Sequence, residues 1–259
     1  MNNTEFKYKL PNENGQIEEI ITSNNSLIII GANGSGKSRL GVWLEQIDSQ
    51  NTHRVGAQRS LSFGEYIQLK SQEQAENLLQ YGTDRKSHNH DKRWGWDGEK
   101  YNYTTSLLND YEHILSALVA KKNNQHDTFI KECKDKEAQS QQHNKVPETV
   151  IDVLKRIWKN VFPQRDIDFP DSKVTATLKK SDSTVVSYKG SEMSDGERVG
   201  LYLIAQCLCI PENKTIIIDE PEIHMHRSIM NRLWTEIEKE RKDESTLNSD
   251  NFKFKKGIH

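Results

Sequence analysis

The chain has 259 residues, 34% of them apolar and 29% charged, which is enough for one large or two small domains around a sizeable core, with part of the length left over for surface helix. Its 36 basic and 38 acidic residues leave a net charge of −2, so the chain as a whole lacks the basic excess of a protein that binds nucleic acid by charge alone, although a local basic face is compatible with these totals. Cys133, Cys207 and Cys209 match no zinc or disulfide framework, no apolar run reaches the length of a membrane span, and Met1-Asn2-Asn3-Thr4-Glu5 lacks the basic and apolar regions of a leader; a cytoplasmic protein with reduced thiols and no membrane partner is expected.

The first elements are short. Phe6-Lys7-Tyr8-Lys9-Leu10 alternates as a half-buried strand, Pro11 to Gly15 is a turn with an Asn-Gly pair, and Gln16 to Thr22 returns as a second strand. Leu27-Ile28-Ile29-Ile30 reads as a buried strand. The glycine-rich Gly31-Ala32-Asn33-Gly34-Ser35-Gly36-Lys37-Ser38 follows, and then a helix whose apolar positions Leu40, Trp43, Leu44 and Ile47 recur at helical spacing. His53 to Leu61 reads as another strand. From Gly64 the composition turns polar. Leu107, Leu108, Tyr111, Leu115 and Leu118 mark one amphipathic helix there. Asp84 to Tyr103 reads as a loop with an aromatic anchor, His88 and His90 as solvated, and Lys121 to Gln142 as a solvated helix or disordered chain. Pro147 is placed at the first position of the next helix, with Val150, Leu154, Ile157, Trp158 and Val161 on its apolar face. A hairpin over Lys173 to Tyr188, an apolar helix after Arg198, the strand Thr215-Ile216-Ile217-Ile218 and a helix carrying Ile229, Met230, Leu233, Trp234 and Ile237 complete the series. The tail from Lys242 has no recognisable element.

Three stretches carry chemistry. A strand, a glycine loop and a helix start together make an anion site: the backbone N–H groups turn inward, the helix dipole adds partial positive charge, Lys37 reaches the β- and γ-phosphates and Ser38 offers a hydroxyl to Mg²⁺. Asp219-Glu220, at the end of an apolar strand, supplies one carboxylate to hold Mg²⁺ through water and one to orient or deprotonate an attacking water. Ser194-Asp195-Gly196-Glu197 opens an apolar helix. It reads both as a capping box, Ser194 to Glu197, and as a second anion-binding helix start, and the two readings are compatible.

In that order these motifs resemble an ABC-type ATPase head: a Walker A loop at 31–38, a Ser-x-Gly-Glu signature at 194–197 and a Walker B strand at 215–220. The run Asp219-Glu220-Pro221-Glu222-Ile223-His224-Met225-His226 is similar to the soluble branch, with its SMC-like, RecF-like and OLD-family ATPases. Within that branch the chain looks like the small ATPases of bacterial anti-phage defence, such as the ATPase subunit of PARIS-type systems. The resemblance implies an α/β P-loop NTPase fold with a mixed sheet and a helical insertion: an ATPase lobe begun over 1–64, an insertion over 65–165, and the lobe resumed over 166–259. It implies ATP and Mg²⁺ as cofactors. Asn33, Gly34, Ser35, Gly36, Lys37, Ser38 and Arg39 would bind nucleotide, Ser38, Asp219 and Gln58 would serve the metal, and Lys37 and Glu220 would serve hydrolysis. Ser194 and Gly196 would contact the nucleotide of a second copy. For Gln58, Gln68 and Gln72 are rivals. The implied partners are a second copy of the chain and an effector such as a nuclease, with DNA as a further possibility; no nuclease motif is present in the chain itself. A DNA-maintenance ATPase and a nucleotide-holding scaffold that does not hydrolyse are the alternatives.

The chain departs from the family pattern at Asp195 and Glu197, and in the absence of a recognisable strand and switch histidine after Walker B. His224 and His226 come too soon after Asp219 for that role. The C-terminal part of the head is therefore expected to be missing or replaced, which favours the scaffold.

Overall fold

A computed structural model describes residues 6–12, 14–22, 26–95, 102–138, 145–211, 214–244 and 253–256. Its strands form three sheets. β1 (Phe6–Pro11) and β2 (Ile17–Thr22) pair as an antiparallel hairpin, in which the Asn12 side chain accepts the N–H groups of Asn14 and Gln16 at 3.0 and 2.9 Å and Gly15 takes the left-handed conformation. β3 (Ser26–Ile29), β4 (Thr52–Val55), β8 (Thr215–Ile218) and β9 (Lys253–Lys256) make a parallel sheet in the order β3-β9-β8-β4. β5 (Arg165–Asp168), β6 (Thr175–Lys179) and β7 (Val185–Lys189) form an antiparallel sheet. Six α-helices are described with them: α1 (Lys37–Ile47), α2 (Gln72–Tyr81), α3 (Tyr111–Ala138), α4 (Val150–Val161), α5 (Asp195–Cys209) and α6 (Arg227–Glu244). The fold is mixed α/β. No helix among the described residues is long and apolar enough to cross a membrane.

β9 corrects the reading of the tail. Lys253-Phe254-Lys255-Lys256 has none of the apolar run that marks a central parallel strand, yet its backbone pairs with β3 on one side and β8 on the other. Backbone hydrogen bonding on both edges decides its place, a force that side-chain pattern does not report.

The two faces of the parallel sheet are read off its pleat. On β8, Ile216 and Ile218 enter the main core, whereas Ile217 packs with Leu10, Leu27, Ile29 and Leu44. On β4, His53 points toward Gln206 of α5 and Arg54 toward Glu45 of α1. The expected apolar face of α1 holds only in part: Leu44 packs against Ile217 and Leu40 and Trp43 are half-buried, but none of the four is fully buried. Its buried residues are Gly41, Val42 and Glu45, while Ile47 is exposed. Glu45 wins a buried place because it meets charge and hydrogen-bond donors: Arg54 at 2.7 Å, the His90 ring at 3.0 Å and the Trp94 indole N–H at 3.1 Å. Burial alone would raise its carboxyl pKa; His90, Arg54 and Arg93 outweigh that and hold it below its ordinary value.

The insertion is no separate body. Its helices α3 and α4 share one continuous apolar core with α5 and α6, with Leu115, Leu118, Leu154 and Trp158 among Val199, Leu203, Leu233 and Ile237. α2 and β5 lie in stretches where the sequence reading placed no element. For α2 the signals were an accepting Ser71 cap and a left-handed Gly82 beyond Tyr81. Pro147 precedes the helix it was expected to start; Thr149 caps α4 in a reciprocal box with Asp152. His90 is buried rather than solvated, and the expected aromatic anchor is Trp94, with 1% exposure; Trp96 lies outside the described residues.

A buried polar network ties the insertion to the sheet. Asp110 accepts from Arg93 at 2.8 Å, from the Tyr202 hydroxyl at 2.6 Å and from Gln206 at 3.1 Å, and Arg93 also donates to the Arg54 carbonyl. His53 Nε2 lies 2.8 Å from the Gln206 side-chain oxygen and 3.1 Å from the Arg93 guanidinium. Burial first, and the Arg93 charge second, push the His53 pKa well below its ordinary value, so the fold holds this ring neutral. The unfolded chain takes up the proton near pH 6.5. The stability that His53 contributes is thus complete above that pH and is lost as pH falls toward the depressed folded value, at up to about 1.4 kcal/mol per pH unit. Urea midpoints compared between pH 7.5 and 5.5 should fall less steeply for His53→Gln than for the parent; equal slopes would refute this.

Candidate functional site

The site is built where β3 gives way to α1. The glycine loop takes two left-handed turns, Gly34 at φ 80° and Gly36 at φ 89°, and Gly36 occupies the cap position of α1. Only glycine takes up these angles without strain, so the glycine spacing sets the path of the loop. Lys37, the first helical residue, turns back over the loop; its Nζ donates to the carbonyls of Gly31 at 2.5 Å and Ala32 at 2.6 Å, with Ser35 Oγ at 3.4 Å.

A cavity of about 620 Å³ opens over this loop. Asn33, Gly34, Gly36, Lys37, Ser38 and Arg39 line it, and so does Glu220, just past β8. The volume falls within the range of about 300–1,000 Å³ common to small-molecule sites. Its wall combines a helix N-terminus, a lysine, a hydroxyl and a carboxylate, the groups that bind an anion and act on water beside it.

Comparison with models of known protein families, with curated proteins and with solved structures found no significant match.

Asp219 ends β8 as expected, is 9% exposed, and extends the ladder through its N–H to the Val55 carbonyl at 2.9 Å. It lies next to the cavity-lining Glu220 but is not itself in the wall. Ser38, Asp219 and Glu220 make a small set of hard oxygen donors. Such a set suits Mg²⁺, which takes one or two protein oxygens and completes its shell with water and phosphate. Among the described residues no group of three or more His, Cys, Asp or Glu side chains could hold a metal without such help.

Gln58 is exposed, and its carbonyl accepts the Leu108 N–H at 2.9 Å; it is not among the cavity residues. Ser194 and Gly196 stand at the start of α5, also outside this cavity. Ser194 is exposed and closes the capping box: Glu197 accepts its N–H at 2.9 Å and its hydroxyl at 2.6 Å. Gly196 is packed so closely that an added Cβ would come 3.3 Å from the His224 carbonyl. His226 caps the start of α6, its Nδ1 lying 2.9 Å from Ser228 Oγ and accepting the Ser228 N–H.

Two wall residues were missed. Asn102 and Thr104 come from the insertion, held in a tight turn by the Asn102 side chain, which accepts the Thr104 N–H at 3.0 Å and its hydroxyl at 2.6 Å. An Asn two residues ahead of a Thr pair is a turn signal, but nothing in the sequence says that the turn faces the glycine loop. The same two residues, with Gly36 and Arg39, also line a second cavity of about 660 Å³ that runs past Trp43 to Pro11.

Proposed function

We propose that the chain is an ABC-type ATPase head of the soluble branch, with an α/β P-loop NTPase fold, that binds ATP with Mg²⁺ and hydrolyses it. The observation that carries this is that Asn33, Gly34, Gly36, Lys37 and Ser38 of the glycine loop and helix start line the same cavity as Glu220. In this reading Lys37 leaves the carbonyls of Gly31 and Ala32 for the β- and γ-phosphates, and Asn33 to Arg39 surround the phosphate chain. Ser38 and Asp219 hold Mg²⁺, which offsets the phosphate charge. Glu220 orients or deprotonates the attacking water. Ser194, exposed at the start of α5, and the half-buried Gly196 two residues on meet the nucleotide of a second copy, and the assembled pair controls an effector such as a nuclease in cytoplasmic anti-phage defence.

β9 weighs against the non-hydrolysing scaffold, since the strand whose absence favoured that reading pairs between β3 and β8. His259, three positions beyond it, is the candidate for the switch histidine that the resemblance implies, and it lies outside the described residues.

Titration of Mg-ATP into the full chain by calorimetry is expected to give saturable heat with a dissociation constant in the micromolar range, about −8 kcal/mol. Absence of heat at millimolar nucleotide would sink the proposal. A DNA mobility shift that depends on ATP would move the partner assignment from an effector protein to DNA.

A further inference from the structure

Arg59 stands one residue past Gln58, on the segment that leaves β4, and its side chain reaches the end of β8. Its Nη1 donates to the Gly56 carbonyl at 3.0 Å and to the Asp219 carbonyl at 3.3 Å; its Nη2 donates to the Glu220 carbonyl at 3.3 Å. One rigid planar fork thus grips the peptide groups on both sides of the Glu220 Cα, and with them the direction in which the Glu220 side chain leaves the backbone. Glu220 needs such a grip. Its φ is +48°, in the left-handed region that a residue with a Cβ avoids, and the same carbonyl also accepts the Ile223 N–H at 3.3 Å. A strained residue held by a side chain from a distant segment, at the wall of a cavity, is how a working group is kept aimed.

Arg59 is itself braced. Leu108 N–H donates to the Gln58 carbonyl at 2.9 Å and Ser60 N–H to the Leu108 carbonyl at 2.8 Å, so the backbone on both sides of Arg59 is pinned by a fully buried residue of the insertion. The donors could have met solvent or a carboxylate. The two Nη groups meet main-chain carbonyls instead, two of the three belonging to the residues that carry the acidic motif.

We propose that Arg59 is a positioning residue for the Glu220 carboxylate: it does not touch nucleotide, and it sets the rate of hydrolysis by holding the Asp219-Glu220 turn. This rests on the ATPase reading above.

The test compares the full-length parent with Arg59→Gln and Arg59→Lys, measuring Mg-ATP affinity by calorimetry and steady-state turnover. Arg59→Gln is expected to lower kcat tenfold or more while the Mg-ATP dissociation constant and KM stay within about twofold. Arg59→Lys, with one compact donor group for two carbonyls, is expected to fall between it and the parent. Unchanged kcat in both variants overturns the proposal. So does a loss of affinity in parallel with kcat, the mark of a merely structural role. If Arg59→Gln does not fold, Arg59→Lys decides by the same criterion. A parent that binds Mg-ATP without turning it over overturns this inference and leaves the binding assignment standing; a parent that does not bind removes both.

Discussion

Replacing Lys37 with alanine is expected to weaken Mg-ATP binding by a hundredfold or more while leaving the fold nearly intact. The Lys37 ammonium lies on the main-chain carbonyls of Gly31 and Ala32, 2.5 and 2.6 Å away, and a triphosphate offers it oxygens that carry full charge in place of neutral ones. Charge-assisted hydrogen bonds are worth about 1.5–3 kcal/mol each, and two of them lost correspond to a factor of roughly 10² to 10⁴ in affinity. The carbonyls left behind in the variant belong to a loop open to water, so they are not stranded, and the cost to folding should stay near 1 kcal/mol, about 2–4 °C in melting temperature for a chain of this size. Calorimetry and a thermal scan on the same preparation check both halves. Affinity within threefold of the parent would show that the lysine serves the loop and not a phosphate. A melting point lowered by about 10 °C or more would mean that lost folding explains lost binding.

The second large effect is expected in the core, not the cavity. Asp110→Ala should destabilise the chain by about 3–5 kcal/mol, a large part of the 5–15 kcal/mol by which domains are stable. Its carboxylate takes three hydrogen bonds, from Arg93, Tyr202 and Gln206, and both ends of its ion pair with Arg93 are buried. Alanine leaves the Arg93 charge out of water with its counter-ion gone and strands the hydroxyl of Tyr202. Removing both charges as Asp110→Leu with Arg93→Met should cost less than Asp110→Ala alone, because the larger penalty lies in the orphaned guanidinium and not in the lost pair. Chemical denaturation of the parent and these two variants at pH 7.5 measures this. A single variant within 1 kcal/mol of the parent, or a double variant worse than the single, would refute it.

Much of the site was legible in the residues because it depends on local rules. Glycines at 34 and 36 have to adopt left-handed angles there, a helix has to start at Lys37, and the three isoleucines before Asp219 have to run as a buried strand; chain-local sterics and hydrophobicity decide all three. Ser194 was legible for the same reason, as a cap three residues ahead of a glutamate. What was not legible is whatever depends on partners distant in sequence. Periodicity assigned α1 an apolar stripe ending at Ile47, but burial went to Glu45, because Arg54, His90 and Trp94 converge on it from 9, 45 and 49 residues away. Composition set the insertion apart, but its helices close the same core as α5 and α6.

The sequence by itself determined the loop, the acidic strand end and the capped helix, since each is a short-range consequence of backbone freedom, hydrogen-bond capping or apolar run length. Only the tertiary structure decided that Glu220 lines the same cavity as Lys37, that Asn102 and Thr104 join that wall, that a strand rich in lysine fills the place between β3 and β8, and that Arg59 grips the acidic turn. Those are contacts between segments up to about two hundred residues apart; they follow from how the sheet pairs and how the buried charges find one another, which no local pattern encodes.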